Sequence, residues 1–370
     1  MREVLVIAGE ASGDLHASGL ATELQRIRPD LRLTGVGGAR MEAAGVTLLE
    51  RSDRMAVMGF AEVIRQVPRH YALLSSLKRR LRSGGVGLLV VIDYPGFNMK
   101  LAAAAAAAGV PVLYYITPQV WAWGAGRLAE LSRIITRAAT ILPFEEPLLR
   151  RHGIDATFVG HPLLDRVAEM PGRTEARRAL GLSDSDRVLA LFPGSRAQEI
   201  HRHLDDFVRT ARTLEVRCPG LRVIVSAAAT VEIDPSRCPY PRVPSASFTV
   251  LRAADAALCK SGTTTLEAAV AACPLVVAYK TSVWTYAIAR RVVKIPHIGL
   301  VNVVAGREVA PEFVQDAVQP DRIADALMPL LSAGDPRRAA MLAGLDEVRA
   351  RLGTPGAAAR VAQMASELAA

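Results

Sequence analysis

An acidic residue comes directly after a short apolar run in the first third of the chain. The run Gly87–Ile92 is rich in Val, Leu and Ile, which is typical of a buried strand, and Asp93 follows it. At the exit of a strand a carboxyl group is partly desolvated, which raises its pKa toward that of a usable base. Asp93 is therefore a candidate general base. Because Pro95 follows it, Asp93 could also cap a helix, and the sequence leaves both roles open.

Three other segments combine small and polar residues in a way that suits an anion. Small residues let the backbone turn sharply after a strand, and the next helix offers free amides to a phosphate. The first segment is neither a GxGxxG nor a Walker pattern, so an ordinary strand-to-helix turn explains it equally well. The candidates are Gly9, Ser12, Gly13 and His16 in the first segment, Ser195 and Arg196 in the second, and Ser261, Gly262, Thr263 and Glu267 in the third.

Further polar and aromatic residues follow other apolar runs. Asn302 and Gln315 are candidates for the same site, with Gln315 the weaker. Trp121 lies close to Arg127 and could stack on a base or a sugar ring, although such a side chain more often belongs to a core. A lone histidine such as His161 is more often part of the architecture than a catalyst.

The sequence offers no pattern for a metal ion or another cofactor. Asp184 and Asp186 form an acid-x-acid pair, but they precede a predicted strand instead of following one. The four cysteines have no CxxC spacing and are expected to be reduced, buried thiols. We therefore expect a reaction that needs neither a metal nor a cofactor.

These candidates require elements that place strand exits side by side. Apolar runs of three to six residues alternate with helical patterns along the whole chain, which predicts α/β domains with doubly wound parallel sheets. Two such Rossmann-like domains would face a central cleft at their strand exits. The predicted strands are Val4–Ala8, Leu33–Val36, Gly87–Ile92, Val112–Tyr115, Ala139–Leu142 and Thr157–Val159, then Val188–Phe192, Arg222–Ser226, Ser247–Val250, Ala256–Leu258 and Leu275–Ala278.

A polar stretch around Pro171 and Gly172 is the best candidate for a linker. We expect one domain over 1–168 and a second over 169–350. A terminal helix over 351–370 is expected to pack back onto the first domain.

Charge and hydropathy exclude some classes of protein. The net charge of +9 comes almost wholly from arginines, since only five lysines are present. The arginines are dispersed and form no nucleic-acid-binding motif, so no nucleic acid is expected as a partner. The longest apolar tract, Leu101 to Ile116, is broken by Gly109 and Pro111, and an apolar strand begins at the fourth residue. These features favour a cytoplasmic protein with no more than peripheral membrane contact, and they leave a homodimer open.

One segment suits such a membrane contact. Met55, Val57, Met58 and Phe60 lie in an unusually apolar stretch that runs on into several arginines. An apolar helix face with basic neighbours can receive acyl chains and bind anionic lipid. An ordinary buried amphipathic helix would show the same pattern.

Ten short motifs are spread over nearly the full chain. They are GEASGDLHA (Gly9–Ala17), GVGGARM (Gly35–Met41), AVMGFAEV (Ala56–Val63), IDYPGFN (Ile92–Asn98), YYITPQVWAW (Tyr114–Trp123), LPFE (Leu142–Glu145), VGHPLLD (Val159–Asp165), FPGSR (Phe192–Arg196), KSGTTTLE (Lys260–Glu267) and NVVAGRE (Asn302–Glu308). Together, and in this order, they resemble the motifs of the bacterial lipid-A-disaccharide synthase family.

The resemblance implies the GT-B fold and an inverting, metal-independent glycosyl transfer. The donor would be UDP-2,3-diacylglucosamine, the acceptor the 6-hydroxyl of 2,3-diacylglucosamine 1-phosphate, and the place the cytoplasmic face of the inner membrane. It further implies that Asp93 is the essential acid, Arg196 the partner of the diphosphate and Asn302 a further active-site residue. Glu267 would lie at the ribose, and Gly262 and Thr263 at the phosphates.

The chain departs from the family pattern at two positions. Many relatives have a second Asp where Gly96 stands, so Asp93 carries more of the proposed chemistry here. Relatives often have Pro where Val301 precedes Asn302, which affects the loop around that residue.

Two other functions fit parts of the same pattern. A UDP-sugar 2-epimerase, or another UDP-sugar transferase of this fold, would share the nucleotide-binding segments, but the sequence has no histidine group suited to proton removal at C2. A nucleotide-sugar-sensing protein would bind UDP without turnover, and the presence of both Asp93 and Arg196 is evidence against it.

Overall fold

The computed structural model describes residues 3–52, 60–123, 125–228, 231–282, 286 and 296–369, without the side chains of 60–66 and 122–126. The chain divides into two compact units. The first unit comprises Met1–Asp165 and Gly353–Ala370, and the second comprises Arg166–Leu352.

The first unit is built on a parallel sheet whose strands, within the described residues, lie in the order β3-β2-β1-β4-β5-β6-β7. Its central strands are mostly apolar because helices cover both faces of the sheet. The strands are β1 (Glu3–Ala8), β2 (Arg32–Gly37), β3 (Thr47–Arg51), β4 (Val86–Ile92), β5 (Val112–Tyr115), β6 (Arg137–Thr140) and β7 (Ala156–Phe158).

Helices pack on the two faces of this sheet and form two apolar clusters. The helix at the end of the chain packs against the first helix, so the last residues belong to the first unit. The helices are α1 (Ala11–Ile27), α2 (Ala39–Ala43), α3 (Phe60–Arg82), α4 (Pro95–Ala107), α5 (Val120–Trp123), α6 (Ala125–Ile134) and α7 (Glu145–Arg151), with a 3-10 helix at Pro162–Glu169.

The second unit repeats the plan with a smaller parallel sheet, whose order in the described part of the chain is β10-β9-β8-β11-β12-β13. Its strands are β8 (Val188–Phe192), β9 (Arg222–Ala227), β10 (Arg242–Pro244), β11 (Ala256–Lys260), β12 (Leu275–Tyr279) and β13 (Glu312–Val314). Its helices are α8 (Arg173–Ala179), α9 (Ala197–Arg217), α10 (Ser247–Ala253), α11 (Thr264–Val270), α12 (Leu300–Ala305), α13 (Pro320–Leu327) and α14 (Pro336–Arg351), with 3-10 helices at Gln315–Ala317 and Met328–Leu331. The terminal helix of the first unit is α15 (Ala357–Leu368).

One predicted strand is wrong. Ser247–Val250 is the first part of the helix α10, which continues to Ala253. Its buried residues are Phe248, Val250, Leu251 and Ala253, and the pair at positions 248 and 251 has helical spacing. The short Thr-Val pattern mimics a strand, and only the longer window shows the helical period.

The sheets place the candidate residues side by side. In the first sheet Ala8 pairs with Ile92, and Ile92 pairs with Tyr115. In the second sheet Phe192 pairs with Cys259, and Lys260 pairs with Ala278. The segments after these strands therefore lie together at one edge of each sheet.

The described residues contain no helix that is both long enough and apolar enough to cross a membrane.

Candidate functional site

Asp93 lies at the exit of β4, in a strained turn. Asp93 and Tyr94 both have left-handed backbone conformations, with φ of 45° and 48°. Two buried groups hold this turn: the Asn98 Nδ2 donates to the Asp93 carbonyl oxygen at 2.7 Å, and the Tyr114 hydroxyl donates to the same oxygen at 2.9 Å. Such conformations persist only where the surroundings fix them, and they are common in functional sites.

The Asp93 residue is exposed, whereas the sequence argument expected a partly desolvated carboxyl. The chain leaves the buried core directly after Ile92, so Asp93 lies at the surface. Desolvation of this carboxylate would have to come from a bound substrate.

Gly9 is required beside this turn. A Cβ atom at Gly9 would lie 2.4 Å from the Tyr94 ring, far inside van der Waals contact. The exits of β1 and β4 are thus in direct contact, with Tyr94 covering the glycine.

A pocket of about 280 Å³ opens at the exits of β4 and β5. Its lining includes Asp93, Arg127 and Glu145, together with Ile116–Val120. Glu145 is buried, and its two oxygens accept hydrogen bonds from the Trp121 Nε1 and the Leu142 backbone N–H, both at 3.1 Å. Burial raises the pKa of Glu145 to about 7, although both hydrogen bonds lower it. The pocket therefore brings together an exposed carboxylate and a buried, weakly acidic one.

Sequence reasoning did not select Glu145 as a site residue. The LPFE motif was the available signal, because an acid in an apolar context is unusual. Trp121 is partly buried, and its indole donates a hydrogen bond to Glu145, which lines the pocket.

The segment Gly9–His16 joins the sheet to the next loop. The buried carboxylate of Asp14 accepts from the backbone N–H groups of Gly38 at 2.7 Å, Met41 at 3.1 Å and Arg40 at 3.2 Å. Asp14 thereby supports the start of α2. This structural role explains much of the motif without a ligand.

The other candidates of this segment lie in the first turns of α1. Gly13 is buried and packs against β1, since a Cβ atom there would lie 3.3 Å from the Ala8 Cβ. Ser12 is exposed, and the His16 ring makes an edge contact with Tyr115 at 6.2 Å between centroids. None of these contacts excludes a ligand, and their binding role stays a prediction.

His161 is architectural, as the sequence argument favoured. It is buried, and burial lowers its pKa to about 3, so its ring is neutral. The Nδ1 atom accepts a hydrogen bond from the Leu163 backbone N–H at 3.1 Å.

In the second unit, the loop after β8 differs from the open anion site that the sequence suggested. The Glu199 Oε2 atom accepts hydrogen bonds from the backbone N–H groups of Ser195 at 2.9 Å and of Arg196 at 3.4 Å. Gly194 makes this possible, because a Cβ atom there would lie 2.5 Å from the Glu199 Cβ. The amides expected for a diphosphate therefore donate to a carboxylate of α9, and the Arg196 residue is exposed.

The segment after β11 forms the start of α11. The Ser261 hydroxyl donates to the Ile298 carbonyl oxygen at 2.7 Å, and Gly262 has a φ of +159°. Thr263 is exposed at the first position before the helix. Burial raises the pKa of Glu267, and a hydrogen bond from Ser247 opposes that shift.

Asn302 is wholly buried and all its bonding capacity is used. Its Nδ2 donates to the Ala310 carbonyl oxygen at 2.7 Å and to the Glu312 carboxylate at 2.8 Å. Its Oδ1 accepts from the backbone N–H groups of Val309 at 2.7 Å and of Ala310 at 2.9 Å. In this arrangement Asn302 can position the loop over 302–312, and it has no atom left for a substrate.

Gln315 is likewise committed to a loop. It has a left-handed φ of 53°, and its side chain bonds to both the N–H and the carbonyl group of Thr281, at 2.7 and 3.2 Å.

The predicted acyl-contact residues can be placed only in part. Met55, Val57 and Met58 lie outside the described residues, and Phe60 is described by its backbone at the start of α3. Farther along α3, Val67 and Tyr71 are 43% and 59% exposed. No group of three or more potential metal ligands occurs among the residues that the structure describes.

A profile of the lipid-A-disaccharide synthetase family matches residues 4–353. The chain belongs to this family. The lipid-A-disaccharide synthase of Syntrophus aciditrophicus strain SB is 43% identical over 373 residues, which cover 99% of this chain and 97% of that one. Family membership makes the chain a glycosyltransferase of lipid A biosynthesis and confirms the resemblance carried by the ten motifs. It implies a UDP-sugar donor and a sugar acceptor.

Solved structures confirm the GT-B class. The calicheamicin glycosyltransferase CalG4 superimposes with a TM-score of 0.62 at 16% identity, covering 100% of this chain and 98% of that one. A UDP-GlcNAc 2-epimerase of Neisseria meningitidis gives 0.59 at 12% identity, covering 99% and 98%. At such identities only the fold is shared, so these structures do not separate a transferase from an epimerase. The family match does.

Proposed function

We propose that the chain carries out the reaction of its family with Asp93 and Arg196 as the principal catalytic side chains. In that reaction 2,3-diacylglucosamine passes from UDP to the 6-hydroxyl of 2,3-diacylglucosamine 1-phosphate, with inversion at the anomeric carbon. The first unit takes the acceptor and the second takes the nucleotide of the donor.

The observation that carries this proposal is the pocket at the β4 exit. Asp93 lies at its edge, and the hydrogen bonds from Asn98 and Tyr114 to its carbonyl oxygen fix its backbone before a substrate binds. A sugar hydroxyl in the pocket would lie within reach of this carboxylate, which accepts the proton as the oxygen attacks the anomeric carbon. Arg127, in the same lining, supplies a cation for the acceptor's phosphate.

The leaving group needs stabilisation on the second unit. As the bond to the anomeric carbon breaks, negative charge grows on the UDP oxygen. The Arg196 guanidinium and the N-terminus of α11 at Gly262 and Thr263 are suited to receive that charge. Glu267, half-buried beside Ser247, is placed for the ribose.

Peripheral membrane contact on the cytoplasmic side is part of this proposal. Both substrates carry acyl chains, and α3 exposes Val67 and Tyr71 among basic residues. Burying a few such side chains contributes several kcal/mol at about 1.5–3 kcal/mol each, which suffices for reversible attachment. Co-sedimentation with anionic vesicles tests this contact. The mass of the chain in detergent solution tests whether it forms a homodimer.

The first experiment follows UDP release from UDP-2,3-diacylglucosamine with and without the acceptor. Asp93→Asn keeps the shape of the side chain and removes the base, so we expect a loss of roughly two to four orders of magnitude in rate. Asp30→Asn is the matched control, because Asp30 forms a surface ion pair with Arg28. Acceptor-dependent release that survives in Asp93→Asn would contradict the assigned role of Asp93.

The same assay separates the rival epimerase. An epimerase converts its UDP-sugar without an acceptor, and its product is again a UDP-sugar. Conversion of the donor without any acceptor would therefore overturn the proposed function.

A further inference from the structure

One face of α9 carries three polar side chains that each reach the exit of a strand. Glu199, His203 and Asp206 are spaced by four and three residues, so they lie on one side of the helix. Their partners follow β8, β11 and β12, which are consecutive strands of the sheet. We call these three side chains the α9 clamp.

Glu199 joins the loops after β8 and β11. Its Oε2 accepts from the Ser195 N–H at 2.9 Å, and its Oε1 accepts from the Lys260 Nζ at 2.8 Å. The side chains of Glu199 and Lys260 are 21% and 19% exposed, so water screens their interaction only in part. The Lys260 ammonium holds the pKa of Glu199 below its usual range against the effect of burial.

His203 and Asp206 join the same helix to the exit of β12. The His203 Nε2 accepts from the Lys280 N–H at 2.9 Å, and its Nδ1 therefore carries the proton and donates to the Glu199 carbonyl oxygen at 2.7 Å. Burial lowers the pKa of His203, which keeps the ring neutral and this arrangement intact. The Asp206 carboxylate pairs with the Lys280 Nζ.

We propose that the α9 clamp positions the loops that bind the diphosphate of the donor, with Glu199 as its main positioning residue. This inference rests on the proposed function, since it takes the loops after β8 and β11 as the donor site. Glu199 fixes the backbone of Ser195 and Arg196 and holds Lys260 next to Gly262, so the cationic groups are in place before UDP arrives. Positioning of this kind removes the ordering cost of binding.

The alternative is that Glu199 merely fills an anion site that the diphosphate takes over. In that case the carboxylate competes with UDP, and its removal would strengthen binding. The two ideas predict opposite signs for one substitution.

Calorimetric titration of the full chain with UDP and with uridine decides between them. In Glu199→Gln an amide can still accept from the Ser195 N–H but cannot neutralise Lys260, and we expect UDP to bind about tenfold more weakly. Uridine has no phosphate and does not depend on the loops that Glu199 holds. Its affinity for the variant should therefore stay within about twofold of its affinity for wild type. Asp205→Asn is the matched control: it removes a carboxylate from the same helix, but one that pairs with Arg237 at the surface.

A double variant tests the link to Lys260. If Glu199 acts through that ammonium, Glu199→Gln should add little to the effect of Lys260→Met on UDP affinity. Thermal unfolding of each variant shows that the second unit is folded, and Glu199→Gln is the mild choice because it keeps the size of the side chain.

The possible results distinguish a failure of this inference from a failure of the proposed function. UDP affinity in Glu199→Gln that equals or exceeds the wild-type value would overturn the inference, as would an equal loss for uridine. A wild-type chain that does not bind UDP would overturn the proposed function instead, and that result is read before any variant is compared.

Discussion

Glu145 should make the stability of the first unit depend on pH in a way that Gln cannot reproduce. Its side chain is buried beside the pocket, with the Trp121 indole and the Leu142 N–H as its hydrogen-bond donors. Asp93 and Arg127 line the same pocket. Burial raises the pKa of Glu145 from 4.5 to about 7, so the folded state prefers the protonated form.

The sign follows from proton binding. Between the ordinary pKa and the raised one, the folded chain binds more protons than the unfolded chain at this residue, so its free energy of unfolding falls as the pH rises. The penalty is absent below the ordinary value, grows through the window from pH 4.5 to about 7, and is complete above it. The pKa rises by about 2.5 units, so at about 1.4 kcal/mol per unit the full change is roughly 3.5 kcal/mol.

Urea unfolding of wild type and Glu145→Gln at pH 5 and pH 8 measures this term. Gln cannot accept from both donors at once, which destabilises the variant by a pH-independent amount of about 1–3 kcal/mol. Part of the change is already complete at pH 5, so we expect wild type to lose roughly 2.5 kcal/mol relative to Glu145→Gln between the two pH values. Every other titrating group cancels in this difference.

Tryptophan fluorescence can report on the first unit alone. Of the three tryptophans, Trp121 and Trp123 belong to the first unit and Trp284 to the second, so Trp284→Phe is introduced into both proteins. A difference between wild type and Glu145→Gln that stays flat from pH 5 to pH 8 would refute the reasoning, since a carboxylate with an ordinary pKa is already ionised at pH 5.

Three further substitutions test the architecture. Asp255→Ala should destabilise the second unit by about 3–5 kcal/mol in urea unfolding, because the fully buried Arg177 would lose its carboxylate partner; full stability would contradict this. Asp14→Ala leaves three backbone N–H groups near α2 without an acceptor and should cost the first unit about 1–3 kcal/mol, which thermal unfolding against Asp30→Asn checks. Gly9→Ala forces Tyr94 away and should lower kcat/KM for the acceptor while leaving UDP affinity unchanged; unchanged kcat/KM would show that the ring moves freely.

The strands that carry the site are predictable because they are central. β1, β4, β8 and β11 are covered on both faces, so their apolar runs are unbroken and easily read. The edge strands β3, β10 and β13 lack this signal, since none of their residues is fully buried. The same reasoning fails at Ser247, where a few residues in a helix have the spacing of a strand.

The sequence predicts where the candidate site residues lie along the fold, but it does not predict their hydrogen-bond partners. Asp93 and Arg196 could be selected as candidates because each comes shortly after an apolar run, and in the structure each follows a buried strand, β4 or β8. The hydrogen bonds of other candidate residues cannot be predicted in this way, because their partners come from distant parts of the chain. The side-chain amide of Asn302 donates to Ala310 and Glu312. The backbone N–H of Ser195 donates to Glu199 on the next helix. Sequence spacing cannot show that a polar residue is already satisfied.

The turns after β4 and β5 contain several energetically unfavourable features, which a turn with only a structural role would not need. Asp93, Tyr94 and Ile116 all have a left-handed φ, which costs roughly 1–3 kcal/mol at each residue that is not glycine. Asn98 is buried, and within the described residues its Oδ1 has no hydrogen-bond partner, while its Nδ2 holds the carbonyl groups of Ile92 and Asp93. Glu145, which follows β6, adds a buried carboxyl to the lining of the same pocket. Glycines at the three strained positions would remove most of the backbone cost, so the side chains present there are retained against stability. That pattern is expected in a functional site, and it supports the proposal that the acceptor reacts in this pocket.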